Sequence, residues 1–339
     1  MKLKRKKFDG NEFLLLITIL LFVAMYIIGM IVFKDKNFGR FQVFLNLFIS
    51  NAGLIVAATG MTMLLITGGI DISVGSVIAM TCMLLAWMME IKGMSAIPAL
   101  IIVLVVGLVF GLVQGLLIAY LKIQPFIVTL AGMFFARGMT AVISTDMISI
   151  KNETFLSWAN AKIYFPFFGT VNKKGMTIFP YIYPSVILAL LVLILFYFIM
   201  KYTKFGRSIY AVGGNEQSAL LLGINVRKTK LVVYSINGLL GAFAGFLFCL
   251  NTCAGFVEQA KGFEMEAIAS SVIGGSLLTG GVGNVIGSLF GVLIKGTIET
   301  FITFQGTLSS WWTKITIAVL LAFFIILQSI FASLKEKKK

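Results

Sequence analysis

The side chains able to do chemistry are few, and several sit inside apolar sequence. The chain holds 13 acidic and 28 basic residues and no histidine. Lack of histidine removes the commonest metal ligand and general base, together with every hydrolytic triad built on it. The cysteines, Cys82, Cys249 and Cys253, lie in or at the ends of apolar runs without zinc-site spacing, so they read as small hydrophobes. There is no Gly-x-x-x-x-Gly-Lys-Ser/Thr; residues 291–296 lack both the spacing and the hydroxyl. What remains is charge in apolar surroundings. Arg137, Lys295 and Glu299 fall within hydrophobic stretches, where a charge costs about 2.5–3.5 kcal/mol and needs a cavity or a partner. Lys295 and Glu299 are spaced i,i+4 and neutralise each other on one helix face, a structural pair with a pathway role as the alternative. Arg137 is expected to reach towards Asp146. Asn46, Asn51 and Gln114 are uncharged polar residues that either join helices or line a path.

The elements that position these groups follow from composition. The chain has 339 residues, 59% hydrophobic and 12% charged, with a mean hydropathy of +1.01. Soluble domains carry about 25% charge, so lipid must solvate much of this surface. Apolar windows predict an all-α, polytopic membrane helix bundle of about ten segments, forming one domain over 1–339. They are 13–33, 44–69, 72–91, 96–121, 123–145, 181–200, 231–253, 266–282, 284–304 and 311–334. The pieces at 44–69, 266–282 and 284–304 are Gly-interrupted and are candidates for broken helices, which need cover from protein or a cavity. The first segment follows a basic start like a signal peptide, but it is long enough to span and reads as retained. With both termini cytoplasmic, inner loops carry 16 Lys and Arg against 9 outside, in line with the positive-inside bias. The net charge of +15 is therefore read as topology anchoring at the membrane and not as nucleic-acid binding.

Two loops stand out. An outer one, about 146–180, is long and polar enough to meet something outside. An inner one, about 201–230, carries six basic residues around a short helical pattern. There Gly213 and Gly214 precede Asn215, a good N-cap; Glu216 sits where the helix dipole favours an anion, and Gly223 is a good stop. The predicted two-turn helix presents Ala219 and Leu222 to the cytoplasm, a lever that a partner can grip; an ordinary interfacial loop is the plainer reading. Elsewhere, residues 67–76 and 279–288 share Thr-Gly-Gly and a final Gly-Ser, five identities in ten positions, an internal echo or shared turn chemistry. Asp71 is expected to cap the helix that follows it by accepting the N–H of Ser73 or Val74, with Gly75 and Ser76 allowing close helix approach. Glu264 and Glu266 open a helix at its outer end, and Lys314 with Trp311 and Trp312 reads as an interface anchor.

Three motifs carry a resemblance. Residues 205–224 resemble the ATPase-coupling region of the ribose-type ABC sugar permeases, with a Glu-x-x-Ala-x-x-x-Gly-Ile pattern running from Glu216. Residues 68–76 are similar to that family's Gly-x-Asp-Leu-Ser-Val-Gly-Ser signature, and 266–275 to its late motif. Residues 130–135 and 306–314 look most like the galactofuranose permease branch. The resemblance implies that Gly213, Gly214, Asn215, Glu216, Ala219, Gly223 and Arg227 serve ATPase coupling. It further makes Asp71, Ser73, Gly75, Ser76, Gly274 and Gly275 a signature turn or gate. It also implies partners: a cytoplasmic ABC ATPase that holds the ATP and Mg, a second permease subunit, and an extracytoplasmic sugar-binding protein. On this reading the chain is a bacterial inner-membrane transport subunit and not an enzyme. An ion-coupled secondary transporter, using Asp71 or Glu299 as its carboxylate, is the alternative.

Overall fold

A computed structural model describes residues 10–167, 169–171, 177–309 and 311–336. The bases at 2–7, 173–174 and 337–339 that enter the orientation count lie outside the described residues. In chain order the helices begin with α1 (Gly10–Val32), α2 (Phe41–Ile66), α3 (Val74–Glu90), α4 (Ala96–Ala119) and α5 (Pro125–Ile143). There follow α6 (Glu153–Asn160), α7 (Pro184–Tyr202), α8 (Lys204–Gly214), α9 (Glu216–Leu221) and α10 (Val226–Thr252). The chain closes with α11 (Phe263–Ile273), α12 (Val285–Gln305) and α13 (Trp311–Glu336). Every apolar segment read from the sequence corresponds to one of these helices. Seven of them, α1, α2, α4, α5, α7, α10 and α12, are long and apolar enough to cross a membrane, while α3 is a shorter apolar helix.

The Gly-interrupted segments have different fates. α2 and α12 are continuous. α11 is not: it stops at Ile273, and its 11 residues reach only about 16 Å, half of a ~30 Å hydrocarbon core. Its broken end is covered by protein. Added to Gly274, a Cβ would fall 2.5 Å from the Gly287 carbonyl oxygen and from Ser288 N, and Gly287 and Gly291 of α12 meet the Gly274 and Ser270 carbonyls as closely. Gly275, with φ +95°, turns the chain away. Prolines open α5 and α7 at their first turns, where the lost N–H is no loss.

α2 and α10 form the buried centre, and α1, α4, α5 and α7 turn apolar faces outward. α4 presents Gly107, Gly111 and Gly115 at i,i+4 spacing, and each lies against the α10 backbone around Leu231, Tyr234 and Gly238. Small residues here permit the dispersion contacts that hold helices together in lipid, where no hydrophobic force does so.

The outer loop is more tethered than its polarity suggests. Strand β1 (Ile148–Ser149) pairs antiparallel with β6 (Ala254–Gly255). β2 (Ile163–Tyr164) pairs with β5 (Tyr181–Ile182), and β3 (Thr170–Val171) with β4 (Thr177–Ile178). A Glu90 carboxylate oxygen accepts from Lys151 N and Asn152 N at 2.8 and 2.9 Å. The Asn152 side chain caps α6, which buries Phe155 against Phe246 of α10.

Candidate functional site

Two features at opposite ends of α2 concentrate the polar side chains. At its C-terminal end lie α8 and α9. The Asn215 side chain accepts from Ser218 N at 2.7 Å, satisfying a free amide of α9's first turn. At the other end Gly223, φ +77°, donates to Leu220 O while Ile224 donates to Ala219 O, the paired bonds of a Schellman stop. Glu216 reaches beyond its cap and pairs with Lys230 of α10 at 2.6 Å. Arg227 lies on α10's first turn and lines a cavity of about 440 Å³ together with Glu216 and Lys230. Asn215→Ala is expected to weaken α9 by about 1 kcal/mol; faster hydrogen exchange at Ser218 and Ala219, with α10 unchanged, is the measurement.

Two expectations for this helix need correction. Ala219 does not face the cytoplasm: it is 1% exposed and packs with Val212 and Val226. The exposed tip is Leu220, Leu221 and Leu222, the last two 90% and 78% exposed. The residue between cap and stop that points inward is the smallest one, and its methyl packs with Val212 of α8 and Val226 of α10. Second, Gly213 and Gly214 are not part of a loop but end α8, a helix that the sequence reading lacked. Gly213 meets backbone: a Cβ there would overlap the Ile66 carbonyl oxygen and lie 2.6 Å from Gly281 N. Gly281 N donates to Ile66 O at 2.8 Å, and the Tyr210 hydroxyl of α8 donates to Gly283 O at 2.9 Å. Burial raises the Tyr210 phenol above its ordinary pKa, keeping that donor protonated.

The internal echo meets itself at this point. Gly68 (φ +75°) and Gly280 (φ +89°) touch, a Cβ on Gly280 falling 3.0 Å from Gly68 N. The second Thr-Gly-Gly turn and the last residue of α2, Ile66, therefore lie directly against the end of α8, with the first turn packed on the second. Just above, Asp71 is 2% exposed; its Oδ1 accepts from Ser73 N and Oγ at 2.7 and 2.5 Å, and its Oδ2 from Asn237 Nδ2 at 2.7 Å. Gln114 Nε2 donates to Ser73 Oγ at 3.0 Å, tying α4 to the same knot. Asp71 thus has a structural post at the start of α3. Gly75 leaves room for the Ala260 carbonyl, 2.8 Å from where its Cβ would be, while Ser76 is buried.

At the other end of the bundle a cavity of about 650 Å³ opens between α2, α11, α12 and α13. On α2 the lining residues 43, 46, 47, 50 and 51 follow one helical face; on α12 Gly296, Glu299, Thr300 and Thr303 do the same. Asn46 and Ser50 are exposed to it, and Asn51 closes its floor against Gly296, whose Cβ would lie 2.7 Å from Asn51 Nδ2. Behind that wall sits Lys295, 7% exposed. Its Nζ lies 2.6 Å from Glu299 Oε1, 3.1 Å from Glu266 Oε2 and 3.4 Å from Asn51 Oδ1. The i,i+4 pair is present, and α11 supplies a second carboxylate that sequence spacing does not reveal. The signal available was arithmetical: a buried ammonium has three donors, and one neighbour on its own helix leaves two unused.

Arg137 does not reach Asp146. Its guanidinium donates to Val257 O and Gln259 O at 2.5 and 2.7 Å, because the loop after α10 folds over α5 and presents carbonyls nearer than the carboxylate. It takes no part in the cavity lining. Trp311 and Lys314 do, with the ammonium 4.6 Å from the indole centroid.

Residues 43–326 match the family described as branched-chain amino acid transport system permease components. The chain is 43% identical to an inner membrane ABC transporter permease protein, YjfF, of Escherichia coli K12, covering 93% of this chain and 91% of that protein. It is 38% identical to the ribose import permease RbsC of Bacillus subtilis, over 90% of each, and 33% identical to the fructose import permease FruG of Bifidobacterium longum, over 98% and 95%. No solved structure matches. A polytopic helical chain matched over nearly its whole length, with a capped surface helix at one end and a polar cavity at the other, belongs to this permease family and, within it, to the ribose-type ABC sugar permeases.

Proposed function

We propose that the chain is the membrane-spanning subunit of an ATP-driven importer that carries a sugar into the bacterial cytoplasm. The observation that carries the reading is the end of α8. A short helix, α9, and its C-cap expose three leucines, and the helix before it touches the backbone of Ile66 at the end of α2 and of the Thr-Gly-Gly turn at 279–281. A cytoplasmic ABC ATPase gripping Leu220–222 would move the ends of α2 and the entry to α12 with little slack, because backbone contacts do not yield as side chains do. ATP and Mg belong to that partner. An extracytoplasmic sugar-binding protein would deliver the sugar at the cavity end, and a second permease subunit would complete the pathway. The motifs at 130–135 and 306–314 make a galactofuranose-like sugar a first substrate to test, beside the ribose and fructose of the relatives' names. Both chain termini lie on the ATPase side in this arrangement.

Leu221→Asp tests it. The side chain touches no core residue, so folding is expected to be unchanged, while co-purification with the ATPase and ATP-driven uptake fall at least tenfold. Full uptake in the variant removes α9 from the coupling path. An ion-coupled cycle is disfavoured by the carboxylates themselves: Asp71 is held by Ser73 and Asn237, and Glu299 by Lys295.

A further inference from the structure

We infer that the cavity between α2, α12 and α13 is a weak subsite for a neutral, polyhydroxylated sugar within the membrane-spanning subunit. Glu266 and Glu299 would be its hydrogen-bond acceptors, and Lys295 the residue that positions them. The inference rests on the sugar-importer reading and assigns the chemistry of one step in it.

The argument begins with unused bonding capacity. Lys295 engages one oxygen of each carboxylate, Glu266 Oε2 and Glu299 Oε1. The other two oxygens, Glu266 Oε1 and Glu299 Oε2, have no hydrogen-bond partner among the described residues, and both side chains line the cavity. A carboxylate with one oxygen fixed and one free is an acceptor already aimed. It receives a hydroxyl without reorganising, whereas a neutral amide would offer a weaker acceptor. Across the cavity Asn46 accepts from Gln42 through its Oδ1 at 2.8 Å, which turns its amide nitrogen into an available donor. Ser50 adds a hydroxyl that serves either way, and the Thr303 hydroxyl, which donates to Glu299 O at 2.9 Å, keeps its capacity to accept. Donors and acceptors on facing helices match a molecule that carries both at every carbon.

Charge decides which such molecule. Lys295 offsets one of the two carboxylates from behind the wall, and Lys314 at the mouth offsets the other, so the cavity carries no net charge. A phosphorylated or acidic sugar gains nothing there and meets two free carboxylate oxygens. Trp311, 67% exposed at the mouth, supplies an apolar surface for the C–H face of a sugar ring. The volume, about 650 Å³, admits one monosaccharide with water and not a close fit. That looseness suits a transit site, since tight binding would oppose release.

The test uses the complete transporter, with ATPase, second permease and binding protein, in proteoliposomes. Uptake of radiolabelled D-ribose, D-fructose and D-galactose is measured per assembled complex. Asn46→Ala, Glu299→Gln and their double variant are compared with wild type. Glu299→Gln leaves Lys295 paired with Glu266, so assembly is preserved and co-purification checks it. Expected is uptake of at least one sugar by wild type, a loss of tenfold or more in each single variant and a greater loss in the double. Lys295→Arg, which keeps the charge but moves the two carboxylates, is expected to keep assembly and fold while reducing uptake, the signature of positioning. Uptake within twofold of wild type in the double variant overturns the subsite and leaves the importer reading intact. Failure of wild type to transport any of the three, with ATP hydrolysis running, overturns the subsite and the sugar-importer reading together.

Discussion

Gly213→Ala is expected to abolish ATP-driven uptake, while Gly214→Ala, one residue on, leaves it within twofold. The two glycines are adjacent and alike in sequence, but their surroundings differ completely. A methyl on Gly213 would occupy the place of the Ile66 carbonyl oxygen and crowd Gly281 N, both main-chain atoms. Neither can rotate aside, so α8 must lift from the ends of α2 and the 277–283 segment, breaking the bond from Gly281 N to Ile66 O. Overpacking of this kind costs about 1–3 kcal/mol or more, and here it falls on the contact through which force would pass. A methyl on Gly214 meets nothing within 4 Å, and its backbone is not left-handed. Helix propensity even favours alanine there by roughly 0.5–1 kcal/mol. The measurement is sugar uptake alongside the melting temperature of the purified chain. Equal behaviour of the two variants would show that the α8 contact carries no load.

Lys295→Met is expected to be the most destabilising single change in the bundle. It removes the one cation shared by Glu266, Glu299 and Asn51 and leaves two carboxylates side by side at the cavity wall without a counterion. Removing one partner of a fully buried pair costs about 3–5 kcal/mol; here water in the cavity screens part of that, but two like charges are left together with no cation between them. Replacing the whole cluster is a different experiment. With Lys295→Met, Glu266→Gln and Glu299→Gln combined, no charge is stranded, and most of the lost stability is expected to return. Thermal unfolding of the detergent-purified chain should therefore rank wild type and triple variant close together and the single variant well below both. A triple variant no more stable than Lys295→Met would place the loss in packing of the lysine stem and not in stranded charge.

Much of the architecture was legible in the residues before any coordinates. Ten apolar runs mark ten helices because lipid leaves a chain few ways to hide its backbone, and hydrophobicity alone shows where they are. The cap at Asn215, the stop at Gly223, the Lys295–Glu299 pair and the bond from Ser73 N to Asp71 are all local, within five residues or fewer, and local geometry is written in local sequence. The contacts that join distant parts of the chain are not. Nothing near Gly213 announces Ile66, nothing near Arg137 favours Val257 over Asp146, and Glu266 reaches Lys295 only after α11 has folded back along α12. Ala219 turns inward for the same reason: its neighbours Val212 and Val226 come from the helices on either side. Pattern and spacing thus determined which segments enter the membrane and how each one starts and ends. The tertiary structure alone decided which backbone atoms touch and which carboxylates share a cation, because those depend on how helices far apart in sequence pack against one another.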